Sequence, residues 1–319
     1  MKPSARGLFY LFSLVLFPFE ALALEGYYSH PTVHDDRLVF QSEGDLWLAP
    51  LAGGTAERLT THTEIESQPV FSRDGEQIAF MAGYDGGREV YVMPVTGGKP
   101  KRISFEDEPV SVEGWTSEGE VLITSSAVVG PLRHTAIRAI DPETLTRHDW
   151  PLMNANEAAL GAGGNHYFTR FGQRFDHSKA YRGGTMAQLW RYQAGAEEAE
   201  RLLEDLEANA QRPLWVAGRL YFLSDADGTW NLWSVDAAGS DLRQHTRHDV
   251  FAARNADTDG ETIVYQHGAD LWRFTPATQR SELIPLEIRS DLDHKRQRFL
   301  EGPLEYVDSV TFAPAGDRI

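Results

Sequence analysis

Pro69-Val70-Phe71-Ser72-Arg73-Asp74-Gly75-Glu76-Gln77-Ile78-Ala79-Phe80 reads as two short apolar strands joined by an Asp-Gly turn. Asp-Gly suits such a turn, because glycine tolerates positive φ and aspartate bonds the local backbone. Outward from it the chain runs through Tyr84-Asp85-Gly86-Gly87, Val90-Tyr91-Val92-Met93, Gly97-Gly98 and Arg102-Ile103-Ser104. The same order stands one period earlier, as Leu38-Val39-Phe40, Gly44-Asp45, Leu46-Trp47-Leu48-Ala49, Gly53-Gly54 and Arg58-Leu59-Thr60. One unit of this size cannot bury its own faces, so the units must pack on one another.

The most regular marker is an apolar residue followed by Trp or Tyr. It falls at Trp47, Tyr91, Trp190, Trp233 and Trp272, with one double interval between Tyr91 and Trp190. A degenerate unit fills that interval, opening at Gly114-Trp115 and placing Thr135–Ile140 where the marker strand belongs. The result is six units, at 28–62, 67–106, 110–151, 157–207, 211–248 and 252–288. Six four-stranded antiparallel sheets around one axis predict an all-β, six-bladed propeller over residues 26–290. A parallel α/β fold would need helices between strands. Only Glu197–Leu206 reads as helical, and it is short.

The ends read differently. Lys2 and Arg6, an apolar run from Leu8 to Phe19, and Ala21-Leu22-Ala23 are the three parts of a secretory signal, expected to be cleaved after about residue 23. The charged stretch 291–306 reads as a linker. Residues 307–319 repeat an opening strand and its turn, the expected start of a second propeller in a longer protein. The formal charge of −17 and the absence of a basic stripe argue against nucleic acid as a partner. Zero cysteines remove disulfides and thiolate chemistry, and no cofactor is expected. Export without cysteine fits a periplasmic or secreted protein, free of the membrane once the signal is gone.

At this point the residues resemble a known family. Phe71 to Phe80 is similar to the PD40 or WD40-like propeller signature. More narrowly, three features resemble the N-terminal six-bladed propeller of tricorn-type proteases. These are Gly26-Tyr27-Tyr28-Ser29-His30-Pro31 before the first unit, the Gly44–Thr60 pattern, and a long fourth-unit insertion, Arg174 to Arg182, leading into Gly183-Gly184-Thr185. The resemblance implies a serine peptidase acting on oligopeptides, with a second propeller, a PDZ domain, a catalytic core and large homo-oligomers. Its catalytic residues would lie C-terminal to this chain, and none is mapped here. The implied role is a non-catalytic propeller that gates substrate and product and contacts the protein's C-terminal domains. A stand-alone TolB-like propeller, or the propeller of a prolyl-oligopeptidase-like or amidohydrolase enzyme, is the alternative.

Candidate sites are sparse. A serine nucleophile needs a base and oxyanion donors, and no Gly-x-Ser-x-Gly turn occurs, so Ser72 is expected to be a turn residue. Asn255-Ala256-Asp257-Thr258-Asp259-Gly260 copies half a calcium loop, but its twelfth position is Gln266, and it falls in register with the blade turns. His245 and His248, with His62 at the matching end of the first unit, are expected to face solvent. The five periodic aromatics are expected to pack between blades. The insertion around Phe171–Gly184 is the one candidate contact surface for a peptide or neighbouring domain, through Arg170, Arg174, Lys179, Tyr181 and Arg182.

Overall fold

The computed structural model describes residues 26–127, 134–172 and 181–293, with scattered residues from 296 to 315. The signal segment 1–23 and the core of the fourth-unit insertion lie outside these. Six sheets stand around one axis, each a meander of four antiparallel strands drawn from one contiguous stretch. Their inner strands are Ser29–His34, Ser67–Phe71, Val110–Trp115, Asn156–Leu160, Ala210–Val216 and Ala253–Thr258, for blades 1 to 6. Glu197–Leu206 is not helical. Glu200–Arg201 pairs with Trp190–Arg191 as the outer strand of blade 4, and the one helical element among the described residues is a 3₁₀ turn at Ala162–Gly164. Ladder hydrogen bonds and burial of Leu202 override the helix propensity of the Glu-Ala-Leu composition.

The repeated motifs have repeated jobs. In the turn that opens blade 2, the Ser72 hydroxyl donates to Asp74 at 2.6 Å and accepts from the Gln77 N–H at 2.9 Å. Ser72 is therefore a turn residue, as its position in the repeat suggests. At the blade ends, Thr60 Oγ1 accepts the Leu46 N–H, Ser104 Oγ the Val90 N–H and Thr246 Oγ1 the Leu232 N–H, each at 2.8 Å. Arg58 donates to buried Asp45 at 2.8 Å, and Arg102 to buried Glu89 at 3.0 Å. In blades 1 and 2 the Arg-apolar-Ser/Thr signature thus ties the outer strand to its neighbour, and in blades 1, 2 and 5 the hydroxyl satisfies a buried N–H. Thr258 and Asp259 close the sixth-blade turn on their own backbone, Asp259 accepting from the N–H groups of Glu261 and Thr262.

Between blades the core is a series of apolar layers. Trp47 and Tyr91 are buried, and Trp190, Trp233 and Trp272 are partly buried against the same clusters. The ring closes between blades 1 and 6 without a shared four-stranded sheet. Tyr28, Phe40 and Trp47 pack on Val264, Leu271 and Leu286, and the Tyr28 N–H donates to Ala269 O at 2.9 Å. After blade 6 the chain returns as Leu286–Ile288, a fifth strand parallel to Gly54–Arg58. Arg58 then reaches Asp291 and Asp293, each at 3.0 Å, so the start of the expected linker is clasped to blade 1. The described residues of 307–315 form no ladder, and Phe312 is exposed.

Gly53 is required at this closure. It has φ +93°, and a Cβ there would lie 2.5 Å from Pro285 O. Gly53→Ala is expected to lose about 1–3 kcal/mol of stability, the usual cost of a strained backbone position. A urea midpoint equal to that of the parent would contradict it.

Candidate functional site

Every inner strand is bulged, and no other ladder pair among the described residues is. The register slips by one residue between each inner strand and the second strand of its blade. A bulge bends the strand and re-aims a side chain. The bulged positions are His30, Gln68, Glu113, Glu157, Arg212 and Asn255, one per blade, and all six line a single axial cavity of about 630 Å³. Five of them hold positive φ without being glycine: His30 at 47°, Gln68 at 51°, Glu157 at 51°, Arg212 at 57° and Asn255 at 49°. Such strain concentrates where a structure holds side chains for a purpose.

The cavity wall has two characters. On the side of blades 3 to 5 it is charged. Arg212 Nη1 reaches past blade 4 to Glu113 Oε2 of blade 3 at 3.3 Å, and its Nε donates to Ala256 O of blade 6 at 2.9 Å. The Arg212 N–H donates to Glu157 Oε2 at 2.8 Å. One guanidinium therefore tethers blade 5 to both sides. Burial pushes the Glu157 carboxyl above the usual carboxylate range, opposed by Arg212. Burial does the same to Asp257, just behind the ring.

On the side of blades 6, 1 and 2 the wall is rich in carboxamides, and its charged member is Arg254 of blade 6. Asn255 Nδ2 donates to Gln266 Oε1 at 2.9 Å, and Gln266 Nε2 donates to the Tyr27 hydroxyl at 3.0 Å. Burial, with the positive charge of Arg212, lowers His30 to about 4, so its ring is neutral at physiological pH. His30 Nδ1 and Gln68 Oε1 are buried with no hydrogen-bond partner among the described residues.

The described part of the fourth-unit insertion meets this cavity at its rim, where Gly172 joins the lining. Arg170 stacks over Trp190, its guanidinium carbon 4.0 Å from the ring centroid. Arg182 pairs with buried Asp225 at 2.8 Å, and Tyr181 O accepts from Asn209 Nδ2 at 3.0 Å. These contacts anchor the insertion to blades 4 and 5. Arg174 and Lys179 lie outside the described residues.

Two of the three histidines differ from expectation, while His62 is exposed as expected. His245 bridges Ser234 and Gln279, and His248 stacks on His267 with ring centroids 3.8 Å apart, both half-buried rather than facing solvent. Solvent loses because Tyr221, Phe274 and Trp272 pack around them. Burial lowers His248 to about 4.

Near the rim between blades 1 and 2, Glu66 is fully buried and accepts from Tyr84 at 2.7 Å. Burial raises its pKa from 4.5 to about 7. A raised carboxyl gives stability that is complete below its unfolded value and is lost as pH rises through the folded one. Glu66→Gln removes that loss. Its Tm relative to the parent should therefore climb between about pH 5 and pH 8. A difference that stays flat or falls contradicts the assignment.

The family follows from comparison. Residues 25–280 match the model of the tricorn protease N-terminal beta propeller domain. The chain belongs to this family. It is 37% identical over 251 residues to tricorn protease homolog 1 of Streptomyces coelicolor, covering 78% of this chain and 24% of that protein. It is 28% identical over 293 residues to the tricorn protease homolog of Saccharolobus solfataricus, covering 90% of this chain and 27% of that protein. The crystal structure of the tricorn protease superposes with a TM-score of 0.74 at 26% identity, over 81% of this chain and 26% of that one. A TolB structure from Acinetobacter baumannii gives 0.60 at 16% identity, over 82% of this chain and 64% of that one, a likeness of fold alone. The chain thus spans about a quarter of the length of the tricorn relatives it matches.

The axial ring was not singled out in the sequence. A partial signal exists. Ser29-His30-Pro31, Ser67-Gln68-Pro69 and Gln211-Arg212-Pro213 each set a polar residue before proline inside an inner strand. Proline within a strand is tolerated at a bulge.

Proposed function

We propose that this chain is the non-catalytic propeller of an exported, tricorn-like serine protease that degrades oligopeptides. Its axial cavity controls the passage of peptides into or out of the enzyme. The single observation behind this is the axial ring in a member of the tricorn propeller family. Six bulges place six polar side chains around one passage, five of them at a cost in backbone strain. The feet of the fourth-unit insertion, with Arg170, Tyr181 and Arg182, would contact peptide or a further domain of the same protein. Arg174 and Lys179 belong to the same expected surface. The basic start and apolar run of residues 1–23 support export to the periplasm or beyond. Homo-oligomer formation by the full-length protein is part of the same reading.

The role in proteolysis is tested by turnover of fluorogenic oligopeptides. The purified chain is expected to show none, and the full-length protein is expected to show turnover that is lost with a serine-directed inhibitor. Turnover by the chain that survives repurification, and falls on mutating a residue within 24–319, would overturn the non-catalytic assignment. A full-length protein without peptidase activity would favour the TolB-like alternative.

A further inference from the structure

We propose that the carboxamide-rich side of the axial cavity, on blades 6, 1 and 2, is a binding wall for peptide main chain, which recognises amide groups. This rests on the reading that peptides enter the axis, and deepens it.

The wall is rich in carboxamides. Gln41, Gln68, Asn255 and Gln266 line it, Gln211 and the indole of Trp230 continue it towards blade 5, and Arg254 adds a cation. A primary amide side chain presents one acceptor and two donors in the geometry of a peptide bond. It can therefore match an N–H and a C=O of an extended chain together. The carboxamides carry no charge, and His30 between them is neutral near pH 7.

Among the described residues, two wall atoms are unpaired. His30 Nδ1 and Gln68 Oε1, on adjacent inner strands, are buried without hydrogen-bond partners. Whichever way the Gln68 amide is turned, a polar atom occupies that place. Buried polar atoms are ordinarily satisfied, and an orphan calls for a reason. Their neighbours show that the wall can satisfy its own groups, since Asn255, Gln266 and Tyr27 form a bonded chain. An incoming N–H donor would complete Gln68. A donor or acceptor, according to tautomer, would complete His30. The cavity volume of about 630 Å³ lies within the ordinary range for ligand pockets, about 300–1,000 Å³.

The test is isothermal titration of the purified chain with N-acetyl-tetraalanine amide, the same peptide N-methylated at every main-chain amide, uncapped tetraalanine, and maltotetraose. The capped peptide is expected to bind, with N-methylation weakening it at least tenfold. Gln68→Leu is expected to weaken the capped peptide at least fivefold without lowering the thermal midpoint of the free protein. If that variant does not fold, Gln211→Leu, at an ordinary backbone position, is expected to weaken it at least threefold. Binding of the uncapped peptide alone would make the termini the recognised group and overturn the proposal. So would silence of all peptides, equal binding of the N-methylated peptide, unchanged affinity in a folded variant, or binding of maltotetraose in place of peptide. Passage of peptides through the axis is scored separately, on turnover by the full-length protein, so the wall can fail while the passage stands.

Discussion

Arg212→Met is expected to lower the stability of the propeller by about 3 kcal/mol near neutral pH, the low end of what breaking a buried pair costs. Among the described residues, the guanidinium is the only cation paired with Glu113, whose side chain is 2% exposed, at 3.3 Å. It also opposes the burial of Glu157 and of Asp257. Methionine fills the volume and leaves Glu113 buried without its counter-charge. Glu157 keeps the backbone N–H of residue 212, so part of the network survives. The loss should shrink on acidification, because Glu157 and Asp257 hold their protons to higher pH than ordinary carboxyls and no longer need a cation once neutral. Pairing Arg212→Met with Glu113→Gln should recover much of the loss. Urea titration at neutral and mildly acidic pH reads both effects. A variant as stable as the parent at neutral pH would show that the inter-blade tether contributes nothing.

Phe40→Ala should cost about 3–5 kcal/mol, the range for removing a buried aromatic. Phe40 is fully buried and meets Tyr28 edge-on, with centroids 5.3 Å apart, in the cluster that joins blade 1 to blade 6. No blade in this ring takes strands from both ends of the chain into its four-stranded meander, so the seam depends on packing. Leu286–Ile288 adds a short parallel strand outside, and Arg58 adds ion pairs at the surface. Exposed pairs of that kind contribute roughly 0–1 kcal/mol each. Phe40→Ala should therefore destabilise far more than Asp291→Asn with Asp293→Asn. The reverse order in a denaturation series would make the clasp, and not the core, the seam of the ring.

Much of the architecture is legible in the chain because each blade must solve the same packing problem with nearly the same residues. Trp47, Tyr91, Trp190, Trp233 and Trp272 keep the period because each fills the layer between two blades. The degenerate third unit declares itself through the double interval, and Ala136–Ile140 does stand where the aromatic strand belongs. Glu197–Leu206 misleads because local propensity favours a helix while the edge of blade 4 offers a ladder. The axial ring is harder to see. Positive φ at His30, Gln68, Glu157, Arg212 and Asn255 is imposed by packing around the axis, and three of these five residue types, Gln, Glu and Arg, carry no special liking for that region. Only the Pro31, Pro69 and Pro213 that follow three of them leave a trace in the sequence. The insertion attracts attention through length and charge, yet Arg170 and Arg182 both hold it to the scaffold, on Trp190 and Asp225.

The central claim is that the axis of this propeller is a controlled route for peptides. It is tested most directly by blocking the axis in the full-length protein. Gln211→Trp with Asn255→Trp adds two indoles to a cavity of about 630 Å³ from blades 5 and 6, and circular dichroism and subunit assembly serve as checks on the fold. Turnover of oligopeptides is then compared with the parent under single and multiple turnover. The account predicts that steady-state turnover falls at least tenfold while fold and assembly are unchanged. Unaltered turnover in a folded, assembled double variant would contradict it.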